Sequence, residues 1–117
     1  MSVTLFLTRI AGGESIAFSD TMSTIAEHYH YQPTAFSNGL GVDALINAAG
    51  ANEGSCKIFA FAKLNGLSPE QTLSLFGDYY HIEVLGDPDG SGHQNIRRFM
   101  RDGWDGIRFQ GEALTPK

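Results

Sequence analysis

Apolar residues recur three and four positions apart in several segments of the chain, the spacing that places them on one face of a helix. The first two such segments run from residue 3 to 10 and from residue 18 to 29, and each is followed by glycine or proline. The segment that opens at Asn52 and runs to Leu64 is apolar on nearly its whole surface. We therefore expect it to form a central buried helix.

Two more helices are predicted in the second half of the chain. Ser68, Pro69 and Gln71 stand at the N-cap, first and third positions of a capping box. The side chains expected to face the core from that helix are Leu73, Phe76 and Tyr80. After the Gly- and Asp-rich loop 86–92, a last helix is expected to bury Ile96, Phe99 and Met100 and to expose Arg97, Arg98 and Arg101.

The remaining pattern is typical of a small sheet. Residues 34–37 read as a short strand that enters a tight turn at Asn38-Gly39, and residues 107–109 are a candidate partner strand. The stretch 40–49 fits either a helix or a returning hairpin strand, and both stay open. The prediction is an α+β fold with about five helices packed with a small antiparallel β-sheet, in a single domain spanning residues 1–117.

Composition excludes several classes of protein. The chain has 117 residues, 42% hydrophobic and 18% charged, which is typical of a globular domain and not of a disordered chain. Its net charge of −5 disfavours a nucleic-acid partner, because phosphate binding needs basic charge. No apolar run reaches the length of a membrane span, and we expect no conventional signal peptide at the start. With its single cysteine, the protein is expected to be soluble and cytoplasmic in the producing cell.

Cys56 is the first candidate for chemistry. Cys56 is expected in the first turn of its helix, where the helix dipole would favour the thiolate. His93 is a candidate base for such a nucleophile. The competing interpretation is that Cys56 is a small core residue, whose burial would raise its pKa and make it inert. The second interpretation is the more common one for a free cysteine on an apolar helix.

Two metal hypotheses fail on the sequence. Residues 87–95 match the early positions of a calcium-binding EF-hand loop, but Arg98 stands where the bidentate glutamate is required. His28 and His30 have no cysteine or acidic partner at ligand spacing. We therefore predict no metal site and no cofactor.

The most polar cluster lies around the last helix. His93 and Asn95 are expected at its positive N-terminal end, and Arg97 and Arg101 share one face, an arrangement able to hold an anion. The alternative is a solvated face whose arginines pair with Asp102 and Asp105, and exposed ion pairs of that kind are common.

Several runs of sequence resemble the HopJ type III effector family. The resemblance extends from about Tyr29 to Phe109, and the runs that carry it are Pro33-Thr34-Ala35-Phe36, Asn38-Gly39, Asn52-Glu53-Gly54-Ser55-Cys56-Lys57-Ile58-Phe59-Ala60-Phe61-Ala62, Leu67-Ser68-Pro69-Glu70-Gln71-Thr72-Leu73, Phe76-Gly77-Asp78-Tyr79-Tyr80, Val84-Leu85, His93-Gln94-Asn95-Ile96-Arg97, Phe99-Met100 and Gly103-Trp104.

The resemblance implies a family without an assigned biochemical activity, named for proteins that bacteria inject into host cells through a type III secretion system. It leads us to expect binding of a protein partner or a small ligand. The alternative is a small cysteine-dependent hydrolase or transferase that uses Cys56 with His93. The expected ligand-binding positions are Asn52, Glu53, Ser55, Asn95 and Arg97.

Two features depart from the family pattern. The spacing between Asn38-Gly39 and Asn47 is longer than the usual connection. Members often carry aspartate before the histidine equivalent to His93, whereas this chain has Gly92. An Asp–His site implied by the family would therefore lack its acidic member here.

Overall fold

A computed structural model describes every residue from Met1 to Lys117 and has the predicted α+β architecture. The helices are α1 (Val3–Ala11), α2 (Phe18–His28), α3 (Glu53–Leu64), α4 (Pro69–Ser74) and α5 (Gln94–Asp102), with a π-helical segment (Tyr79–Val84) and a 3-10 turn (Gly103–Gly106). The strands are β1 (Tyr29–Tyr31), β2 (Phe36–Asn38), β3 (Leu45–Asn47), β4 (Ile107–Phe109) and β5 (Leu114–Pro116). No helix is long and apolar enough to cross a membrane.

Helix α3 forms the centre of the core, as its apolar surface predicts. Six of its residues are buried, and the Phe59 ring contacts aromatic rings from three other parts of the chain. These rings belong to Phe36, Phe76 and Phe99, with centroid distances between 4.9 and 5.9 Å. Aromatic packing of this kind joins β2, α5 and the segment after α4 to one helix.

The strands form two small antiparallel sheets. One has the order β3-β2-β4, and the other pairs β1 with β5. The pairing of residues 107–109 with the strand that ends at Asn38 confirms the predicted partnership. The open choice for residues 40–49 is decided in favour of a returning strand, β3. Strands β1 and β5 were not predicted, and Tyr29, which the helical periodicity assigned to the end of α2, is the first residue of β1.

Two details of the helical prediction need correction. The structure confirms the Ser68 capping box, but α4 ends at Ser74 and the chain then forms the unpredicted π-helical segment. On α5 Met100 is 44% exposed instead of buried. The reason is that Asn95 is buried beside Ile96 and Phe99, which turns the buried face of the helix away from Met100.

Candidate functional site

The N-terminal ends of α3 and α5 line one cleft of about 560 Å³, which we call the α3–α5 cleft. Its polar lining comes from Asn52, Gly54 and Ser55 at one helix end and from His93, Gln94 and Asn95 at the other. Apolar contacts are supplied by Phe18, Leu45, Phe76, Tyr79 and Ile96. A concave site with an apolar wall and a few converging polar groups is the usual form of a small-molecule site.

Both helices are preceded by a residue in the left-handed conformation. Asn52 has φ 52° and ψ 50°, and His93 has φ 56° and ψ 52°, and they are the chain's only residues other than glycine with positive φ. An N-cap residue is normally extended and accepts a hydrogen bond from the helix with its side chain. Neither Asn52 nor His93 does so.

The first amides of both helices are therefore without a hydrogen-bond partner in the chain. The first helical bonds run from Cys56 N–H to the Asn52 carbonyl and from Arg97 N–H to the His93 carbonyl. The amides of residues 53–55 and 94–96 donate no hydrogen bond within the protein. Since helical amides point toward the N-terminus, both groups of donors face the end of the helix that lines the cleft.

A cluster of asparagine side chains joins the two helix ends beneath the cleft. Oδ1 of Asn47 accepts a hydrogen bond from the side-chain amide of Asn52 at 2.7 Å and another from the side-chain amide of Asn95 at 2.9 Å. The amide of Asn38 donates to Oδ1 of Asn95 at 3.1 Å and to its backbone carbonyl at 2.8 Å. Asn38, Asn47 and Asn95 are all buried, so the network holds β2, β3 and α5 in one arrangement.

His93 lines the cleft at the N-terminal end of α5. Its Nε2 lies 3.0 Å from a carboxylate oxygen of Glu83, and its ring lies 5.3 Å from the ring of Tyr79. The Tyr79 ring in turn packs edge-on against Phe18, with centroids 5.0 Å apart. The π-helical segment thus supplies the groups that fix the His93 ring.

Cys56 does not line the cleft. It is 1% exposed, its Sγ donates to the Thr34 carbonyl at 3.5 Å, and burial raises the pKa of the thiol. The Tyr31 hydroxyl beside it is buried without a well-formed hydrogen bond, and burial raises its pKa, with the nearby Glu53 carboxyl adding to the effect. This environment favours the neutral thiol, as expected for a core residue, and offers no activation of a nucleophile.

The arginines of α5 bind the protein's own loops. Arg97 donates to the carbonyls of Gly92 at 2.5 Å and Asp87 at 2.9 Å, which ties down the loop that precedes the helix. Arg101 pairs with Asp102 at 2.7 Å and with Asp43 at 3.1 Å. The ion pair with Asp102 was expected if the arginines form a solvated face. The second acidic partner is Asp43 instead of the expected Asp105.

Four of the sequence-predicted site residues therefore meet in one place, and three do not. Asn52, Ser55, His93 and Asn95 line the cleft. Glu53 is exposed near Tyr31, Cys56 lies in the core, and Arg97 lines a second, smaller cleft. The structure adds contributors that the sequence reasoning missed, namely Asn38, Asn47, Phe18 and Tyr79. A polar residue after two apolar strand residues was the available signal for Asn47, whereas Asn38 was assigned to a turn and is the buried last residue of β2.

Comparison with known proteins gives one family and one similar structure. The family model described as HopJ type III effector protein matches residues 3–114. A crystal structure of the protein of unknown function VPA0580 superposes with a TM-score of 0.94 at 47% sequence identity, covering 100% of this chain and 95% of that chain. A search of curated proteins found no match.

Proposed function

Because the chain belongs to the HopJ type III effector protein family, we propose that it acts by binding, with the α3–α5 cleft as the site of a small polar ligand. The observation that supports this most directly is the convergence of two helix N-termini, each with three unused amides, on one cleft. Such donors stabilise carboxylate, phosphate or carbonyl oxygens. The Ser55 hydroxyl and the His93 ring add further polar contacts on the same surface.

The apolar side of the cleft sets a second requirement on the ligand. Phe18, Phe76 and Tyr79 line the same cleft as the polar residues, so a bound molecule needs an apolar portion beside its hydrogen-bond acceptors. We propose a small organic acid or phosphorylated metabolite as the ligand class. A protein partner that inserts one acidic side chain into the cleft is the other form of the same proposal.

We propose no catalytic role for Cys56 with His93. The thiol is buried and faces the Thr34 carbonyl, while His93 lines the cleft and pairs with Glu83. A nucleophile needs an accessible thiolate within hydrogen-bond reach of its base. Nothing in these contacts favours that arrangement.

Membership of the family also suggests where the protein acts in the cell. We propose that it is made in the bacterial cytoplasm and delivered into a host cell by a type III system. Fusion of the full chain to a translocation reporter, expressed in strains with and without a working secretion apparatus, tests this. Signal in host cells that depends on the apparatus is expected, and signal from neither strain would contradict it.

Binding in the cleft is tested by titrating isotope-labelled protein with acetate, benzoate, phenyl phosphate and neutral benzamide, followed by amide NMR shifts. We expect the aromatic anions to shift the amides of Gly54, Ser55, Gln94 and Asn95, with weaker effects from acetate and benzamide. Shifts spread evenly over the surface, or none in these residues, would reject the cleft.

A charge-matched pair of variants makes the test specific. Ser55→Glu places a negative charge in the cleft at a helix position that tolerates acids, so it preserves α3 and should abolish the anion shifts. Ser23→Glu adds the same charge on the exposed side of α2 and should leave them unchanged. Equal behaviour of the two variants would show that net charge, and not the cleft, governs binding.

A further inference from the structure

The loop between the π-helical segment and α5 is built around one side chain, Arg97. Its Nε donates to the Gly92 carbonyl at 2.5 Å, and its Nη1 donates to the Asp87 carbonyl at 2.9 Å. Gly90 packs closely against the same group, since a Cβ atom there would lie 3.0 Å from Nη2 of Arg97. One guanidinium therefore joins the two ends of the loop 86–92.

Arg97 also fixes the backbone on both sides of His93. Its side chain binds the carbonyl of Gly92, which precedes His93, and its backbone N–H donates to the His93 carbonyl at 3.1 Å. A left-handed residue other than glycine is strained and persists only where the surrounding structure determines it. The contacts of Arg97 supply that constraint at residue 93, whose φ is 56°.

We propose that Arg97 is a positioning residue of the α3–α5 cleft, a role that rests on the proposed use of this cleft as a ligand site. Arg97 lines the second, smaller cleft and not the α3–α5 cleft, so it acts without touching the ligand. It keeps His93 left-handed, and the first amides of α5 stay open to the cleft. With residue 93 extended as in an ordinary N-cap, a side chain would turn toward these amides.

This role depends on the shape of the guanidinium and not on its charge. Arg97 takes part in no ion pair, and its side-chain partners are all backbone carbonyls. Its Nε and Nη1 donate in fixed, different directions, whereas a lysine ammonium is a single point charge with rotating donors. Arg97→Lys therefore keeps the charge and loses the double contact. An arginine that attracted the ligand by charge would tolerate this change.

The effect on residue 93 is tested without a ligand, by the urea midpoints of His93→Gly and His93→Ala in three backgrounds. In the otherwise wild-type chain glycine should have the higher midpoint, because alanine is strained at positive φ. Arg97→Lys should abolish this difference, because residue 93 can then leave the left-handed region. Arg108→Lys, at an exposed arginine, is the matched control and should preserve it. The same difference in all three backgrounds, or none in the first, would overturn the proposal.

Titration with phenyl phosphate, followed by amide NMR shifts of the full chain, measures the consequence for binding. If the open conformation falls to roughly a tenth of the population, the apparent affinity falls about tenfold. We expect this loss in both Arg97→Lys and Arg97→Met, with Arg108→Lys unchanged.

Two results of the titration separate the possible failures. Wild-type affinity in Arg97→Lys would overturn the positioning role, because charge alone would then be sufficient. Absence of binding by the wild type would reject the cleft as a ligand site, and with it the ligand-binding part of this proposal. The glycine–alanine difference at residue 93 still decides whether Arg97 holds the backbone of His93.

Discussion

The side chains of Asn47 and Asn95 are paired with each other through both ends of their carboxamides. The Asn95 amide nitrogen lies 2.9 Å from Oδ1 of Asn47, and the Asn47 amide nitrogen lies 3.2 Å from Oδ1 of Asn95. Forty-eight residues separate them in the chain, and both are buried. The pair joins β3 to the first turn of α5 directly beneath the α3–α5 cleft.

Loss of this pair should be costly. Asn47→Ala leaves the buried side-chain amide of Asn95 and the side-chain amide of Asn52 without their shared acceptor, and an unsatisfied buried polar group costs about 1 to 3 kcal/mol. Asn52→Gly removes one hydrogen bond at an exposed position and keeps the left-handed conformation, so it should cost less than about 1 kcal/mol. Urea unfolding of both variants measures the difference, and equal losses would contradict the role of Asn47 as the shared acceptor.

The left-handed backbone at His93 predicts an unusual order of stability. His93→Gly should be more stable than His93→Ala by about 1 kcal/mol, because alanine is strained at positive φ. At the next residue, Gln94, the backbone is helical and the order should reverse, with alanine more stable than glycine. Thermal or urea unfolding of the four variants checks both signs. Alanine more stable than glycine at both positions would mean that residue 93 is not left-handed in solution.

Cys56 should react slowly with alkylating agents in the native protein. Its thiol is buried and its pKa is raised, so the fold favours the neutral form. The stability linked to this group is present below the thiol's unfolded pKa and is lost as the pH rises through the higher folded value. We expect alkylation to follow the unfolding curve in urea. Rapid reaction of folded protein at neutral pH would instead reveal an accessible, activated thiolate.

Lowering the pH should remove the stability that the Arg101 ion pairs contribute to the folded protein. Hydrogen bonds from Arg101 lower the pKa of both Asp43 and Asp102. A lowered folded pKa contributes stability above the ordinary carboxyl pKa of about 4 and loses it as the pH falls through the folded value. The stability gap between the wild type and Arg101→Gln should therefore be constant from neutral pH to about 5 and shrink below 4.

Arg108→Gln is the control for that experiment, because Arg108 is exposed and takes part in no ion pair. Its stability difference from the wild type should stay flat across the same pH range. Melting temperatures or urea midpoints in matched buffers measure both variants. A gap for Arg101→Gln that persists unchanged at the lowest pH would contradict the ion-pair interpretation.

Local signals in the sequence were strong where one short stretch of chain decides the structure. The capping box at Ser68 predicted the start of α4, and the nearly continuous apolar surface of the segment after Asn52 predicted the central helix α3. The turn residues Asn38-Gly39 predicted that the strand ends there, and Gly39 adopts a φ of 120° that few other residues tolerate, whereas the return of the chain as β3 was left open. The prediction that Met100 is buried was wrong, because the polar residue Asn95 lies on the buried face of α5 and Met100 lies outside that face.

The sequence by itself determined the family, the α+β class, the starts of α3 and α4 and four of the residues that line the cleft, because these depend on local spacing and on motifs within short stretches of the chain. Tertiary structure alone decided which polar residues meet. Asn47 approaches Asn95 because α5 packs against β2, the strand to which β3 is paired, and Cys56 is separated from the cleft because it faces the interior side of α3. Contacts between distant segments depend on how the elements pack, which periodicity within one segment does not specify.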